Sequence, residues 1–389
     1  MRSLVFYNMN PSINLTLPLD AEDVSAAINL GYSKVDQISV DLMGSGKADL
    51  LGSYQTQQST AQSSTSTEIA WDQLFNQGQF DPWILIQEPA LVLAVAVVLQ
   101  MLIPIPKSLK LEGLAPIFTG LARKVNRPGI STSQRAFAGF ILPTLILFVV
   151  MFLVFTLDII SDFDYIISLV VMFLVLDLKF VQDRSVLVYR ALHEGFKDKA
   201  KDLLSDIVLR ETQPLSEMGI AKACSESAIL RIFSGWFAVM VWYFIAGIEG
   251  ATLMQTVNIM SRSFNYKLQG NYRFGKPIFI VHQTLLFIPA IVLMFVLVFS
   301  KNPIRHVVCG FDGFSRYPAP VSGMVLGAVG GALNLTLGGP RYYQGEILRL
   351  PKVGGELNPD RQSILYSMRK IRMCGLILLV LSVIIDLNI

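Results

Sequence analysis

The sequence predicts an all-α integral membrane protein that crosses the bilayer several times. Of its 389 residues, 52% are hydrophobic and only 16% are charged, whereas roughly a quarter of the residues in an ordinary soluble domain are charged. The hydrophobic residues are also gathered into long uncharged runs. Since a membrane-spanning helix needs roughly 20 such residues, these runs predict about five to seven membrane segments.

The predicted segments follow one another from residue 89 to residue 385. Two apolar runs, 165–176 and 373–385, are short and fit tilted or half-inserted helices. Another uncharged run, 317–340, has the length of a span but is rich in glycine. Four further runs approach or exceed the length of a bilayer span and cover residues 89–106, 136–157, 232–248 and 277–300.

Glycine recurs at every fourth residue of the glycine-rich run, at Gly323, Gly327 and Gly331. On a helix this spacing removes the side chains from one face, so that another backbone or a large ligand can approach closely. We expect helix packing on this face, because small residues at this spacing are common in membrane helices. A Gly338-Gly339-Pro340 break then follows and places polar residues at the end of the run.

Residues 1–80 differ from the rest of the chain. They hold three basic and eight acidic residues, a net charge of −5, and a low-complexity polar tract at 52–67. Such a segment has too little apolar surface to offset the entropy lost on ordering. We therefore predict a mostly disordered tail over 1–80 and a helical membrane domain over 81–389.

The charges between the predicted spans indicate their orientation. The linker after the first span carries six basic residues against one acid, Glu112, and such basic loops stay on the cytoplasmic side. The next connection carries three aspartates and no basic residue, which agrees with the opposite side. Two later loops, 249–276 and 301–316, are both basic, so that a re-entrant segment at 232–248 is an alternative to simple alternation.

A charged amphipathic helix is predicted from Lys179 to Leu209, on the cytoplasmic side. Its polar residues are interpreted as a solvated face, since such charge patterns are ordinary on exposed helices. Its apolar stripe has helical spacing and consists of Val188, Leu192, Phe196, Ala200, Leu203 and Ile207.

No metal site is predicted from cysteine and histidine. Cys224, Cys309 and Cys374 form no C-x-x-C pair and do not cluster with the three histidines. This pattern suggests neither a disulfide framework nor a thiolate site.

Ordered motifs in the second half of the chain carry a family resemblance. Leu204-Ser-Asp-Ile-Val-Leu-Arg-Glu-Thr212 is similar to L-S-x-I-V-G-R-D-T, and a segment with Gln255-Thr-Val-Asn258 follows. Gly331-Ala-Leu-Asn-Leu-Thr-Leu-Gly-Gly-Pro340, with Tyr343-x-Gly345-Glu346, is similar to G-A-L-x-x-x-L-G-G-P-x-x-Y-x-G-E. Over about residues 180–354, the series resembles the CobD/CbiB family of cobalamin-biosynthesis membrane proteins. A more distant resemblance is to the AmpE membrane proteins.

The resemblance implies an ATP-dependent, magnesium-assisted amide ligation at the bacterial inner membrane, with the chain as a multi-pass protein. That reaction joins adenosylcobyric acid to aminopropanol or its phosphate and gives adenosylcobinamide or its phosphate. The implied catalytic residues are Arg210, Glu211, Thr212 and Glu226, of which Arg210 neutralises phosphate. The implied substrate-binding residues are Asn258, Tyr266, Gly338, Gly339, Tyr343 and Glu346. Glu226 and Glu346 are also candidates to hold magnesium or act as a base.

Several acids of the family pattern are replaced in this chain. An E-N pair becomes Leu230-Arg231, a D-S-M becomes Ser261-Arg262-Ser263, and a pair of aspartates becomes His282-Gln283. Two alternatives follow. The chain is either a ligase that uses ATP and magnesium, or a non-catalytic, AmpE-like member that binds a ligand and signals. The expected partners are a corrinoid and the lipid bilayer, no nucleic acid is expected, and homo-oligomerisation stays open.

Overall fold

The computed structural model describes residues 3–6, 13–16, 89–103, 105–127, 129–160, 164–268, 270–300 and 303–386. The chain divides into two compact units, Met1–Phe80 and Asp81–Ile389. In the first unit, strands β1 (Ser3–Phe6) and β2 (Ile13–Thr16) pair in antiparallel orientation. Most of the predicted disordered tail lies outside the described residues, and its disorder stays a prediction.

The second unit is built mainly from α-helices, which confirms the predicted all-α membrane fold. The described helices of its first half are α1 (Pro89–Leu102), α2 (Ala115–Val125), α3 (Thr132–Ile160), α4 (Asp164–Val175), α5 (Lys179–His193) and α6 (Lys197–Ser205). Those of its second half are α7 (Glu217–Ile232), α8 (Ala238–Ser263), α9 (Tyr272–Leu297), α10 (Pro303–Arg316), α11 (Pro320–Leu333) and α12 (Arg361–Asp386).

Three helical stretches among the described residues are long and apolar enough to cross a membrane. They are α3, α9 and the continuous stretch Glu217–Ser263, which joins α7 to α8. Helices α1 and α11 are apolar but shorter. The predicted number of five to seven crossings therefore stays a prediction beyond these three.

The stretch Glu217–Ser263 forms the centre of the unit, and α3 lies at its outside. In their most apolar windows, 72% of the residues of Glu217–Ser263 are buried, against 17% for α3. A π-helical turn, Phe233–Phe237, joins α7 to α8 and buries Trp236 completely. The predicted span 232–248 is thus only the middle of a longer helical stretch, which is broken at Ala246 and Gly247.

The glycine face of α11 packs against α10, as the sequence predicts. A Cβ atom added at Gly323 would lie 2.3 Å from the carbonyl oxygen of Gly313, and one at Gly327 would lie 2.1 Å from that of Cys309. Because these distances are too short for a side chain, the two backbones can meet only where glycine is present. The expectation of helix packing is confirmed.

Helix α11 is shorter than the uncharged run 317–340 that predicted it. It ends at Leu333 because Asn334 adopts a left-handed conformation (φ 58°), which is a common helix terminator. Strand β3 (Thr336–Gly338) follows and pairs in antiparallel orientation with β6 (Lys352–Gly354). The second half of the run is therefore extended backbone and not helix.

A small hairpin lies between β3 and β6. Strands β4 (Arg341–Tyr343) and β5 (Glu346–Leu348) pair in antiparallel orientation. The turn between them consists of Gln344 (φ 51°) and Gly345 (φ 82°). Two consecutive residues with positive φ are the signature of a tight type I′ turn.

The predicted amphipathic helix Lys179–Leu209 is two helices, α5 and α6. Gly195 (φ 81°) ends α5, and the N–H of Phe196 bonds to the carbonyl of Ala191 at 2.8 Å, as in a Schellman motif. Because the chain changes direction there, Phe196 is exposed, and its predicted place on the buried stripe is wrong. Four other stripe residues are buried, namely Val188, Leu192, Ala200 and Ile207.

Candidate functional site

Glu226 is the centre of a buried charged site on α7. Its Oε2 atom accepts hydrogen bonds from Arg210 at 2.9 Å and from Arg341 at 3.1 Å. Its Oε1 atom accepts one from the backbone N–H of Gly338 at 2.6 Å. The side chains of all three charged residues are less than one tenth exposed. The structure thus brings together three residues that sequence analysis predicted for the site: Arg210, Glu226 and Gly338.

Two lysines add positive charge around Glu226. Lys222 lies one helical turn before it and interacts with it electrostatically. The Nζ atom of Lys267 lies 5.9 Å from the ring centre of Tyr343, and its charge interacts with those of Glu226 and Arg341. We call the group formed by Arg210, Lys222, Glu226, Lys267 and Arg341 the Glu226 cluster. Four cations and one carboxylate give it a net charge of +3.

Burial and charge shift the pKa values of the cluster's groups outside the spans. Burial lowers the pKa of Arg210 and that of Lys267. Burial would also lower the pKa of Arg341, but the charge of Glu226 outweighs it and raises the pKa. These shifts show that Arg341 is the cation most firmly charged, whereas Lys267 is easier to deprotonate than an ordinary lysine.

Two tyrosines border the cluster. The hydroxyl of Tyr317 accepts a hydrogen bond from Arg341 at 2.8 Å, and burial raises its pKa to about 12. Burial would raise the pKa of Tyr343 too, but the charges of Lys267 and Arg341 outweigh it and lower the pKa. The Tyr343 hydroxyl is therefore the more acidic of the two.

The backbone conformation of Gly338 and Gly339 lets the end of strand β3 approach Glu226. Both residues have positive φ, 81° and 92°, a region that glycine adopts without steric cost. A Cβ atom at Gly338 would lie 2.2 Å from the carbonyl oxygen of Pro351, and one at Gly339 would lie 3.5 Å from Lys222 Nζ. Both glycines thus border the cluster.

Glu346 lies in the hairpin and Glu211 and Thr212 lie beside it, and none of them makes a hydrogen bond to Glu226 in the described part of the chain. Glu211 accepts a hydrogen bond from the N–H of Gly345 at 2.6 Å, and this bond connects the loop before α7 to the hairpin. Thr212 is buried in a turn, and Glu346 is exposed. Their implied catalytic, binding and metal roles stay predictions.

Tyr266 and Asn258 fall in different surroundings. The ring of Tyr266 packs on Phe279 with 4.2 Å between ring centres, and Lys267 lies 5.8 Å from it, which links Tyr266 to the cluster. Asn258 instead donates a hydrogen bond to Gln255 at 3.0 Å. It lies on α8 beside a second group of charges.

That second group surrounds Glu112, which precedes α2. Arg262 donates two hydrogen bonds to the Glu112 carboxylate, at 2.9 and 2.6 Å, and Arg231 lies 3.7 Å from it. Lys110 and Asp177 interact electrostatically with this group. We call these five residues the Glu112 cluster. Both arginines belong to segments in which the family pattern has lost acids.

Sequence analysis assigned no site role to Lys222, Lys267, Tyr317 or Arg341. The position of Lys222, four residues before Glu226, would have placed it on the same helical face. Arg341 directly follows the Gly-Gly-Pro break. Nothing local connects Lys267 or Tyr317 with Glu226, since both reach the site through packing of separate elements.

The donors present do not fit a resident magnesium ion. Magnesium prefers carboxylate and water oxygens in octahedral arrangement. Among the described residues, no group of three or more His, Cys, Asp or Glu side chains comes together, and both oxygens of Glu226 accept bonds from N–H groups. By contrast, guanidinium and ammonium groups suit phosphate oxygens.

Comparison with known proteins assigns the family. The family described as "CobD/Cbib protein" matches residues 93–371. The chain belongs to this family. The resemblance predicted from the motifs is therefore confirmed, and the matched region begins within α1 and ends within α12.

Curated relatives are named cobalamin biosynthesis protein CobD. The protein of Leptospira interrogans (serovar copenhageni) is 32% identical over 180 residues, 44% of this chain and 56% of the relative. Those of Stutzerimonas stutzeri and Chromobacterium violaceum are 26% and 27% identical, over 48% and 47% of this chain and 61% and 59% of the relatives. The chain thus spans less than two thirds of these relatives. No solved structure matches it.

Proposed function

We propose that this CobD/CbiB family member binds the phosphate group of a corrinoid ligand at the Glu226 cluster, as a multi-pass protein of the bacterial inner membrane. The observation that supports the proposal is the net charge of +3 in a mostly buried site with a single carboxylate. A phosphate monoester carries a charge of about −1.5 to −2 at neutral pH. It would offset most of the excess charge.

The cluster also offers donors that the protein itself leaves unused. Within the described residues, Lys222 and Lys267 make no hydrogen bond or ion pair to a carboxylate, and the buried Nε of Arg341 has no hydrogen-bond partner. A buried N–H without a partner costs about 1–3 kcal/mol. A bound phosphate would supply the missing acceptor and would recover this cost.

Of the two alternatives, the donor set favours binding without ligation. The family's reaction uses ATP with magnesium, which would neutralise charge during phosphoryl transfer. The residues of the Glu226 cluster can bind and orient an anion, but the described carboxylates do not fit the metal. The non-catalytic, AmpE-like alternative is therefore the function that the site supports best.

Ligation is the second candidate, because the structure brings together Arg210, Glu226 and Gly338, to which the resemblance gives catalytic or substrate-binding roles. Complementation separates the two alternatives. We expect that a membrane-inserted copy of this chain does not restore growth on cobyric acid to a strain that lacks the authentic synthase. Growth would assign ligation to the chain and would contradict binding without ligation.

Binding itself is tested with lysine variants. We expect Lys222→Met to weaken the binding of a corrinoid phosphate roughly tenfold, because one charged hydrogen bond contributes about 1.5–3 kcal/mol. Lys199→Met on the exposed face of α6 is the matched control and leaves the affinity unchanged. Equal affinities of both variants, measured by equilibrium dialysis in detergent, would remove the site assignment.

A further inference from the structure

The Glu112 cluster carries more positive than negative charge. Besides Arg231, Arg262 and Lys110, the neighbouring Lys179 acts on the group electrostatically. The three cations and two carboxylates of the cluster give a net charge of +1, and Lys179 raises it to +2. This excess lies among groups that are only partly reached by solvent: the side chains of Arg231 and Arg262 are 16% and 27% exposed.

Two buried N–H donors, one on Arg231 and one on α8, have no acceptor in the part of the chain that the structure describes. The Nε atom of Arg231 and the Nε2 atom of Gln255 are buried without a hydrogen-bond partner among the described residues. Gln255 is completely buried, and its Oε1 atom already accepts a bond from Asn258. Gln255, Asn258 and Arg262 follow one another at i, i+3 and i+7 on α8 and so share one face of the helix.

The geometry around Glu112 is the one in which arginines bind oxyanions. Arg262 engages the carboxylate with two parallel N–H bonds, and guanidinium groups bind carboxylate and phosphate in this same forked way. Arg231 is held over the ring of Phe180, 5.7 Å from its centre. Glu112 therefore occupies the place that two phosphate oxygens would take between these arginines.

We propose that the Glu112 cluster is a second phosphate-binding site, at which the ligand displaces Glu112 from Arg231 and Arg262. This site is separate from the Glu226 cluster, although Arg231 and Glu226 lie five residues apart on α7, about 7.5 Å along the helix axis. The phosphate belongs either to a soluble phosphate ester or to a phospholipid headgroup. The inference does not depend on the proposed corrinoid binding.

The test compares how strongly phosphate stabilises matched variants. Glu112→Gln removes the internal competitor and leaves two buried arginines without its charge. We expect 10 mM inorganic phosphate, against chloride of equal ionic strength, to raise the Tm of this variant by about 3 °C more than that of the parent protein. The double variant Glu112→Gln/Arg262→Gln loses this extra gain. Phosphate bound at the Glu226 cluster stabilises all three proteins alike and cancels in the comparison.

Two further measurements complete the test. If Glu112→Gln does not fold, Arg262→Gln alone is compared with the parent, and it is expected to show a smaller rise in Tm with phosphate.

Nanodiscs of phosphatidylcholine with and without phosphatidic acid identify the source of the bound phosphate. An extra gain only with phosphatidic acid supports the site and assigns a lipid headgroup, whereas a gain with the free ion assigns a soluble ligand. Equal responses of parent and variants to both probes would overturn the proposal.

Discussion

The Glu226 cluster and the Glu112 cluster each hold a carboxylate away from solvent by pairing it with cations. In each, a carboxylate that is less than one tenth exposed is paired with two arginines. Glu226 accepts three hydrogen bonds between 2.6 and 3.1 Å, whereas Glu112 holds Arg262 tightly and Arg231 only at 3.7 Å. The first cluster is closed around its carboxylate, and the second is looser.

The difference also follows the family pattern. The family resemblance includes Arg210 and Glu226, whereas Arg231 and Arg262 stand in segments where acids of the family pattern are replaced. Both arginines face Glu112, an acid of the linker before α2. The acids of the pattern fall at Leu230 and Ser261, and the arginines next to these positions make the region better suited to anions than to cations.

Removal of Glu226 is expected to have the largest effect. Glu226→Gln leaves Arg210 and Arg341 buried without a counter-charge, and such a loss costs about 3–5 kcal/mol. Chemical denaturation in detergent measures the free energy of unfolding. Glu346→Gln, which changes an exposed acid of the hairpin, is the control and is expected to show no measurable change. Equal stability of the two variants would mean that Glu226 does not hold its cluster together.

Substitution of Gly338 tests the close backbone approach to Glu226. Gly338→Ala must place a Cβ atom against the carbonyl of Pro351 at positive φ, so we expect a loss of about 3 kcal/mol. Gly345→Ala has the same φ requirement but open space around it and is expected to cost about 1–2 kcal/mol. The thermal stabilities of the two variants check the order, and a reversed order would contradict the contact.

The two arginines of the Glu112 cluster are expected to differ. Arg262→Gln removes two hydrogen bonds to Glu112 and is expected to cost about 2–3 kcal/mol. Arg231→Gln removes a looser ion pair and a contact with Phe180, and we expect about 1 kcal/mol. Denaturation curves of the two variants provide the measurement. Similar losses would show that the two arginines hold Glu112 equally.

The pH dependence of ligand binding is the smallest predicted effect. Burial lowers the pKa of Lys267 from its ordinary 10.5. As the pH rises through this lowered pKa, the lysine loses its charge, and the affinity of the Glu226 cluster for phosphate falls. We expect the fall at a lower pH than an ordinary lysine would give. When phosphate affinity is measured against pH for the Lys267→Arg variant, the fall in affinity should lie at higher pH than in the parent protein.

Tyr343 provides the control for this effect. Its lowered pKa gives a tyrosinate that also weakens anion binding on the alkaline side, so the comparison is repeated in a Tyr343→Phe background. An alkaline fall that Lys267→Arg does not move would exclude Lys267 as its cause.

Local features of the sequence predicted much of the fold. The spacing of Gly323 and Gly327 predicted the packing of α11, because a helix face without side chains lets another backbone approach closely. The family resemblance assigned site roles to Arg210, Glu226 and Gly338, and the structure places these residues in contact. The stripe through Phe196 was wrong, since Gly195 ends α5 with a left-handed residue that hydrophobic spacing does not reveal.

The Glu112 cluster could not be predicted from the sequence. Glu112 and Arg262 are 150 residues apart, and an acid in a basic linker gives no sign of a buried partner. Lys267 and Tyr317 reach the Glu226 cluster in the same way, from separate elements. Such pairings depend on how the helices pack, and this information is not contained in local spacing or charge.

The central claim is that the Glu226 cluster recognises a corrinoid through its phosphate. Equilibrium dialysis of the purified protein in detergent, with adenosylcobinamide phosphate and with adenosylcobinamide, tests it most directly. We predict that the phosphorylated form binds at least about tenfold more tightly and that Lys222→Met/Lys267→Met abolishes the difference. Equal affinities for the two forms, or a preference that the double variant retains, would contradict the claim.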